Sequence, residues 1–122
     1  LGTGKTTLVR GLLHRLGHRG PVKSPTFTLV EPYDFGKIQV YHFDLYRVNN
    51  QEELENIGLR DYFAPVALCL VEWPERGAGL LPPADLHIGL FYAPTGRRAC
   101  YEAHTARGKE ILSALDRGSI IT

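Results

Sequence analysis

The stretch "VALCLV" runs into Glu72 and Trp73 with no alternating polar position. It is far too short to span a bilayer. Lacking alternation, it does not suit a strand with one wet face either. It reads as a strand covered on both sides, which commits the chain to an α/β arrangement with helices packed on a sheet. Its single carboxylate, Glu72, then falls at the carboxyl end of the strand, the edge at which open α/β sheets bind ligands.

The remaining segments fit that commitment. Lys5 to Leu16 predicts a helix: Leu8, Leu12 and Leu16 recur at fours beside Val9 and Leu13, and Gly17 stops it. "FTLVEPYDF" and "KIQVYHFDLYR" predict two strands meeting in a hairpin at Gly36. "NQEELENIGLRDYF" predicts short helical material, capped by Asn49 or Asn50 and interrupted at Gly58. "LHIGLFYA" and "RRACYEAHT" predict a strand pair joined around Pro94 to Gly96, and "ARGKEILSALD" a closing helix. No repeat, low-complexity tract or linker divides the 122 residues, which predict a single domain spanning 1–122.

The opening "LGTGKTT" gives the sheet edge a chemistry. Gly4, Lys5 and Thr6 match the end of the phosphate loop G-x-x-x-x-G-K-[ST], whose first glycine would fall upstream of Leu1. Gly2, Thr3 and Gly4 would bring backbone N–H groups close to phosphate oxygens, since glycines carry no obstructing side chain. Lys5 would reach the β- and γ-phosphates of ATP, and the Thr6 hydroxyl would bind Mg²⁺. The helix that starts there turns its positive dipole end toward the anion. Glu72 is the second half of such a site, the strand-end acid that holds Mg²⁺ directly or through water.

"VYHFDLYR" adds a further carboxylate. Strand alternation puts Val40, His42 and Asp44 on one face, and Tyr41, Phe43 and Leu45 on the other. Asp44 could orient an attacking water or the metal's water shell. His42 is open to two readings, a satisfied structural histidine or part of an HxD metal site. Ser24, Pro25, Thr26 and Thr28 form a hydroxyl-rich loop after the first helix. It suits either a switch over a γ-phosphate or a plain polar turn.

Composition narrows the class further. The formal net charge of +1 does not advertise a nucleic-acid binder, although Lys5, Arg10, Arg15, Arg19 and Lys23 all precede the first acid, Glu31. The absence of methionine suggests that a preceding segment is missing. Cys69 and Cys100 show no metal spacing and read as buried free thiols, in keeping with a reducing cytoplasm. No apolar run reaches the length of a membrane span.

Taken in order, "GTGKTTLVRGLL", "VKSPTFTLVEPY", "YHFDLYR", "ELENIGLRDYF" and "LVEWPERG" resemble the TsaE family of small P-loop ATPases. Those proteins assist threonylcarbamoyladenosine (t6A) formation on tRNA. The likeness runs from Leu1 to about Gly79. It implies a P-loop NTPase-like mixed β-sheet flanked by helices, with the family's first strands missing here. It implies ATP and Mg²⁺ as cofactors, and TsaB and TsaD as protein partners in modifying adenosine 37. Carried over, Lys5 binds phosphate, Thr7 contacts the α-phosphate, and Thr6 and Glu72 hold the metal. Ser24 to Thr28 match a switch-like segment, and Asp44 an acid assisting hydrolysis. Absence of the first strands would leave this chain a weak ATP binder and less stable than an intact protein. Other readings are a small-molecule kinase, a nucleotide-dependent interaction module with incidental hydrolysis, and direct tRNA binding through the early basic cluster. A GTPase is disfavoured because no N-K-x-D motif is present.

Overall fold

The structure is a computed structural model that describes residues 5–23, 25, 28–64 and 67–121, with side chains to residue 114. These residues fall into two compact units, one from Lys5 to Pro82 and one from Pro83 onward.

The larger unit opens with helix α1, Lys5–Leu16. Its end is sealed by a Schellman-type cap: Gly17, at φ +115°, donates to the His14 carbonyl, and His18 donates to that of Leu13. The buried residues of α1 are Val9 and Leu13, while Leu8 and Leu16 are exposed. Of the expected stripe, Val9 and Leu13 therefore face the core, while Leu8 and Leu16 do not. Both rows are apolar at the same spacing, and only contact with the sheet chooses between them.

Strands β1 (Val30–Asp34) and β2 (Gln39–Asp44) form the expected antiparallel hairpin. Gly36 turns it at φ +81°, its N–H donating to Asp34 Oδ1 at 2.8 Å. The hairpin starts later than "FTLVEPYDF" suggests, because Leu29 lies at φ +68° and breaks the extended run. Strand β3 (Ala67–Glu72) is the apolar run, and it pairs in parallel with β2, giving the sheet order β1-β2-β3. Between them, helix α2 (Gln51–Asn56) is followed by a 3-10 turn, Leu59–Tyr62. Gly58, at φ +68°, separates the two. Asn50 is the cap, its side chain accepting from the Glu53 N–H at 3.3 Å.

Two apolar clusters sandwich this sheet. Val40, Leu68, Leu70 and Tyr33 pack with Val9 and Leu13 of α1. Phe43, Cys69 and Val71 pack with Leu54 of α2 and Leu59 of the 3-10 turn. Odd and even residues of β2 and β3 thus meet different helical elements, as a strand without polar alternation requires. Residues of β3 are half-buried rather than fully enclosed, since β3 lies at the end of the described strand order.

The second unit is simpler. β4 (Leu86–Ala93) and β5 (Gly96–Ala103) pair antiparallel through a Pro94–Thr95 turn, and α3 (Ala106–Ile121) follows. The first turn of α3 is capped by Thr105, whose Oγ1 accepts from the Gly108 N–H at 3.0 Å and donates to Asp85 at 2.7 Å. A Cβ on Gly108 would overlap the Asp85 carbonyl, so the closeness of that contact needs glycine. The expectation that both cysteines are buried holds only in part. Cys69 is half-buried, while Cys100 is exposed on β5, where its strand neighbours are exposed too.

Candidate functional site at the carboxyl ends of β2 and β3

The parallel register sets Asp44 beside Glu72, so both strands close on an acid at the same edge. Alternation puts these two on the sheet face that carries Val40 and Leu70, the face packed by α1. Burial in a ladder fixes the backbone under each carboxylate, and further bonds tie the strand ends together. The Leu45 N–H donates to the Glu72 carbonyl at 3.1 Å, and the Tyr46 N–H donates to Asp44 Oδ1 at 3.1 Å.

Lys5, in the first turn of α1, arrives at the same edge. Its Nζ lies 4.3 Å from the ring centroid of Trp73, the residue after Glu72. Such a contact is attractive, because the ring face is electron-rich. The indole also leans on Tyr46, with centroids 4.9 Å apart. Trp73 holds φ +58°, an uncommon conformation for a bulky residue, and the chain turns there into the 3-10 turn Pro74–Gly77. The described backbone has one other non-glycine residue at positive φ, Leu29. Leu29 ends the hydroxyl-rich loop: its N–H donates to the buried Pro25 at 2.8 Å, and its carbonyl accepts from the Asp44 N–H at 3.1 Å. The two backbone irregularities therefore flank the two acids, as strained residues often do at functional sites.

His42 completes the arrangement. It is fully buried on the central strand, and its Nε2 lies 2.6 Å from Glu72 Oε2. Sequence alternation puts His42 on the face of Asp44 but is silent about β3. Only the register between the strands reveals Glu72 as its partner. Among the described residues its Nδ1 has no hydrogen-bond partner, so it is not a histidine with both nitrogens satisfied.

The other expected residues divide as follows. Thr6 and Thr7 are exposed in the first turn of α1. Thr28 is exposed and donates to Glu31 at 3.3 Å, while Pro25 is buried. Gly2, Thr3, Gly4, Ser24 and Thr26 lie outside the described residues. No cluster of three or more His, Cys, Asp or Glu able to hold a metal ion occurs among the described residues. No helix among them is long and apolar enough to cross a membrane.

A parallel strand ending in an acid, a neighbouring strand doing the same, and a helix whose first lysine reaches that edge define an α/β protein of the P-loop type. The chain belongs to the TsaE family. The family model described as "Threonylcarbamoyl adenosine biosynthesis protein TsaE" matches residues 1–100. The chain is 52% identical over 114 residues to the tRNA threonylcarbamoyladenosine biosynthesis protein TsaE of Haemophilus influenzae, covering 93% of this chain and 72% of that protein. It is 42% identical to the Bacillus subtilis protein of the same name, over 72% of this chain and 54% of the relative. Among solved structures, the crystal structure of Bacillus subtilis YdiB matches with a TM-score of 0.77 and 31% identity, covering 97% of this chain and 72% of that one.

Proposed function

We propose that this chain is a Mg²⁺-dependent ATPase that supports t6A formation at position 37 of tRNA in the cytoplasm. In this reading ATP turnover assembles or resets a complex with TsaB and TsaD, and the chain does not itself modify the tRNA. The observation that carries the ATPase reading is the approach of Lys5 to Trp73, next to Glu72 and its register partner Asp44.

The residues fit the cofactors. Mg²⁺ takes hard oxygen donors, and in nucleotide sites it is bound by one or two carboxylates with phosphates and waters rather than by an all-protein cage. A hydroxyl at Thr6 and a carboxylate at Glu72 are donors of that kind. Lys5, released from the indole face, is the partner for the β- and γ-phosphates. Thr7 would serve the α-phosphate, and the backbone N–H groups of Gly2 to Gly4 would be donors to the phosphates. Asp44 is an acceptor for the attacking water. When bound, the metal neutralises charge that builds on the transferring phosphoryl group. Leu29 bonds both to the Pro25 carbonyl and to the Asp44 N–H, so a switch movement of the Ser24, Pro25 and Thr26 segment would be felt at the hydrolytic acid.

The test is reconstitution of tRNA modification with TsaB and TsaD while phosphate release is followed. Lys5→Ala and Glu72→Ala should each lower turnover by about a hundredfold or more. Modification at wild-type rates by both variants would overturn the reading. Phosphate appearing on a small metabolite would favour a kinase instead.

A further inference from the structure

Among the described residues, His42 is the buried polar or charged residue of the sheet, and it is buried at a cost. A phenylalanine or leucine on this central strand would pack against the same neighbours and leave no polar atom stranded. The imidazole leaves Nδ1 without a partner among the described residues, and unmet buried polar groups are destabilising. What it supplies in return is one short bond, Nε2 to Glu72 Oε2 at 2.6 Å. A contact that short needs a proton between the atoms; with Glu72 ionised, as a metal-binding carboxylate is, Nε2–H donates and Oε2 accepts.

The bond is anchored at both ends. β2 is paired on both sides, with His42 opposite Glu31 and Leu70, so the imidazole cannot drift. The Glu72 side chain is only 12% exposed. Held at Oε2, the carboxylate loses its rotation, and Oε1, which bonds to no described residue, keeps one direction. This is the arrangement by which a histidine outside the coordination sphere fixes a metal-binding carboxylate.

We propose that His42 is a positioning residue for Glu72, its Nε2–H gripping Oε2 so that Oε1 meets the magnesium ion of bound Mg–ATP in one orientation. The inference rests on Glu72 as a metal ligand.

The experiment measures binding of the non-hydrolysable analogue AMPPNP by calorimetry, in excess Mg²⁺ and in EDTA. The ratio of the two affinities is the readout, and it isolates the metal from the phosphate contacts. His42→Phe should lower the ratio by about tenfold while leaving the EDTA affinity within about twofold. His42→Gln, whose amide N–H can occupy the place of Nε2–H, should keep the ratio within about threefold of wild type. His42→Asn is too short to reach Oε2 and should behave as the Phe variant does, which serves if His42→Phe does not fold. An unchanged ratio in a folded Phe or Asn variant overturns the proposal. So does an equal fall in Gln and Phe, which would assign the effect to packing. Glu72→Ala is the separate check: if it leaves the ratio intact, the metal reading of Glu72 fails, whatever His42 does.

Discussion

The molecule contains two antiparallel hairpins, and they differ sharply. In β1–β2, Tyr33, Val40, His42 and Phe43 are buried; in the longer β4–β5 pair, none of the sixteen strand residues is. Ile88, Phe91, Tyr92 and Tyr101 lie exposed there, with Arg97 over Tyr92 and Arg98 over Phe91. β2 gains a third strand and a helical layer on each face, whereas among the described residues of their unit β4 and β5 pack chiefly with α3. A hairpin by itself is only marginally stable in water. The lesson concerns chemistry as much as stability. Carboxylates can be aimed only from a backbone that burial holds still, and the candidate site sits on the hairpin that has this support.

The strongest way to break the comparison is to empty each hairpin in turn. Phe43→Ala should cost about 3–5 kcal/mol in urea denaturation, from lost burial and the cavity left behind. Tyr101→Ala, on the exposed pair, should cost under about 1 kcal/mol. Similar losses in both would mean that the second hairpin is as well supported as the first. Gly108→Ala tests whether the α3 junction is what holds the second unit. Overlap with the Asp85 carbonyl should cost about 1–3 kcal/mol. Hydrogen exchange should show the loss in β4, β5 and α3, not in β2. Asn50→Ala, which removes the α2 cap, should cost about 1 kcal/mol and be felt in the first unit.

The smallest effect is on the thiols. Burial pushes the Cys69 thiol up to about 11, and its Sγ–H donates to the Tyr62 carbonyl at 3.4 Å. Cys100 is exposed. At pH 8 a disulfide reagent should label Cys100 first and Cys69 only slowly, as mass spectrometry of each peptide would show. Since the folded state disfavours the Cys69 thiolate, its contribution to stability is present below pH 9 and lost as pH rises toward 11. Rapid labelling of Cys69 in the folded protein would show that β3 opens more readily than its packing implies.

Local signals in the sequence determined the elements: the helix from Lys5 to Leu16, the turn at Gly36, the break at Gly58 and strand β4 all lie where periodicity and breakers put them. Those are short-range matters, decided within a few residues by sterics and side-chain spacing. They also marked Lys5 and Glu72 as two halves of one phosphate and metal site, and Asp44 as a further acid, without giving the contacts that join them. Tertiary structure decided which row of α1 is buried, which strand pairs in parallel with β2, and therefore that Glu72 lies against His42 and Trp73 against Lys5. Such contacts join residues dozens of positions apart, and nothing in either segment encodes the register. Only packing both faces of one sheet at once fixes it.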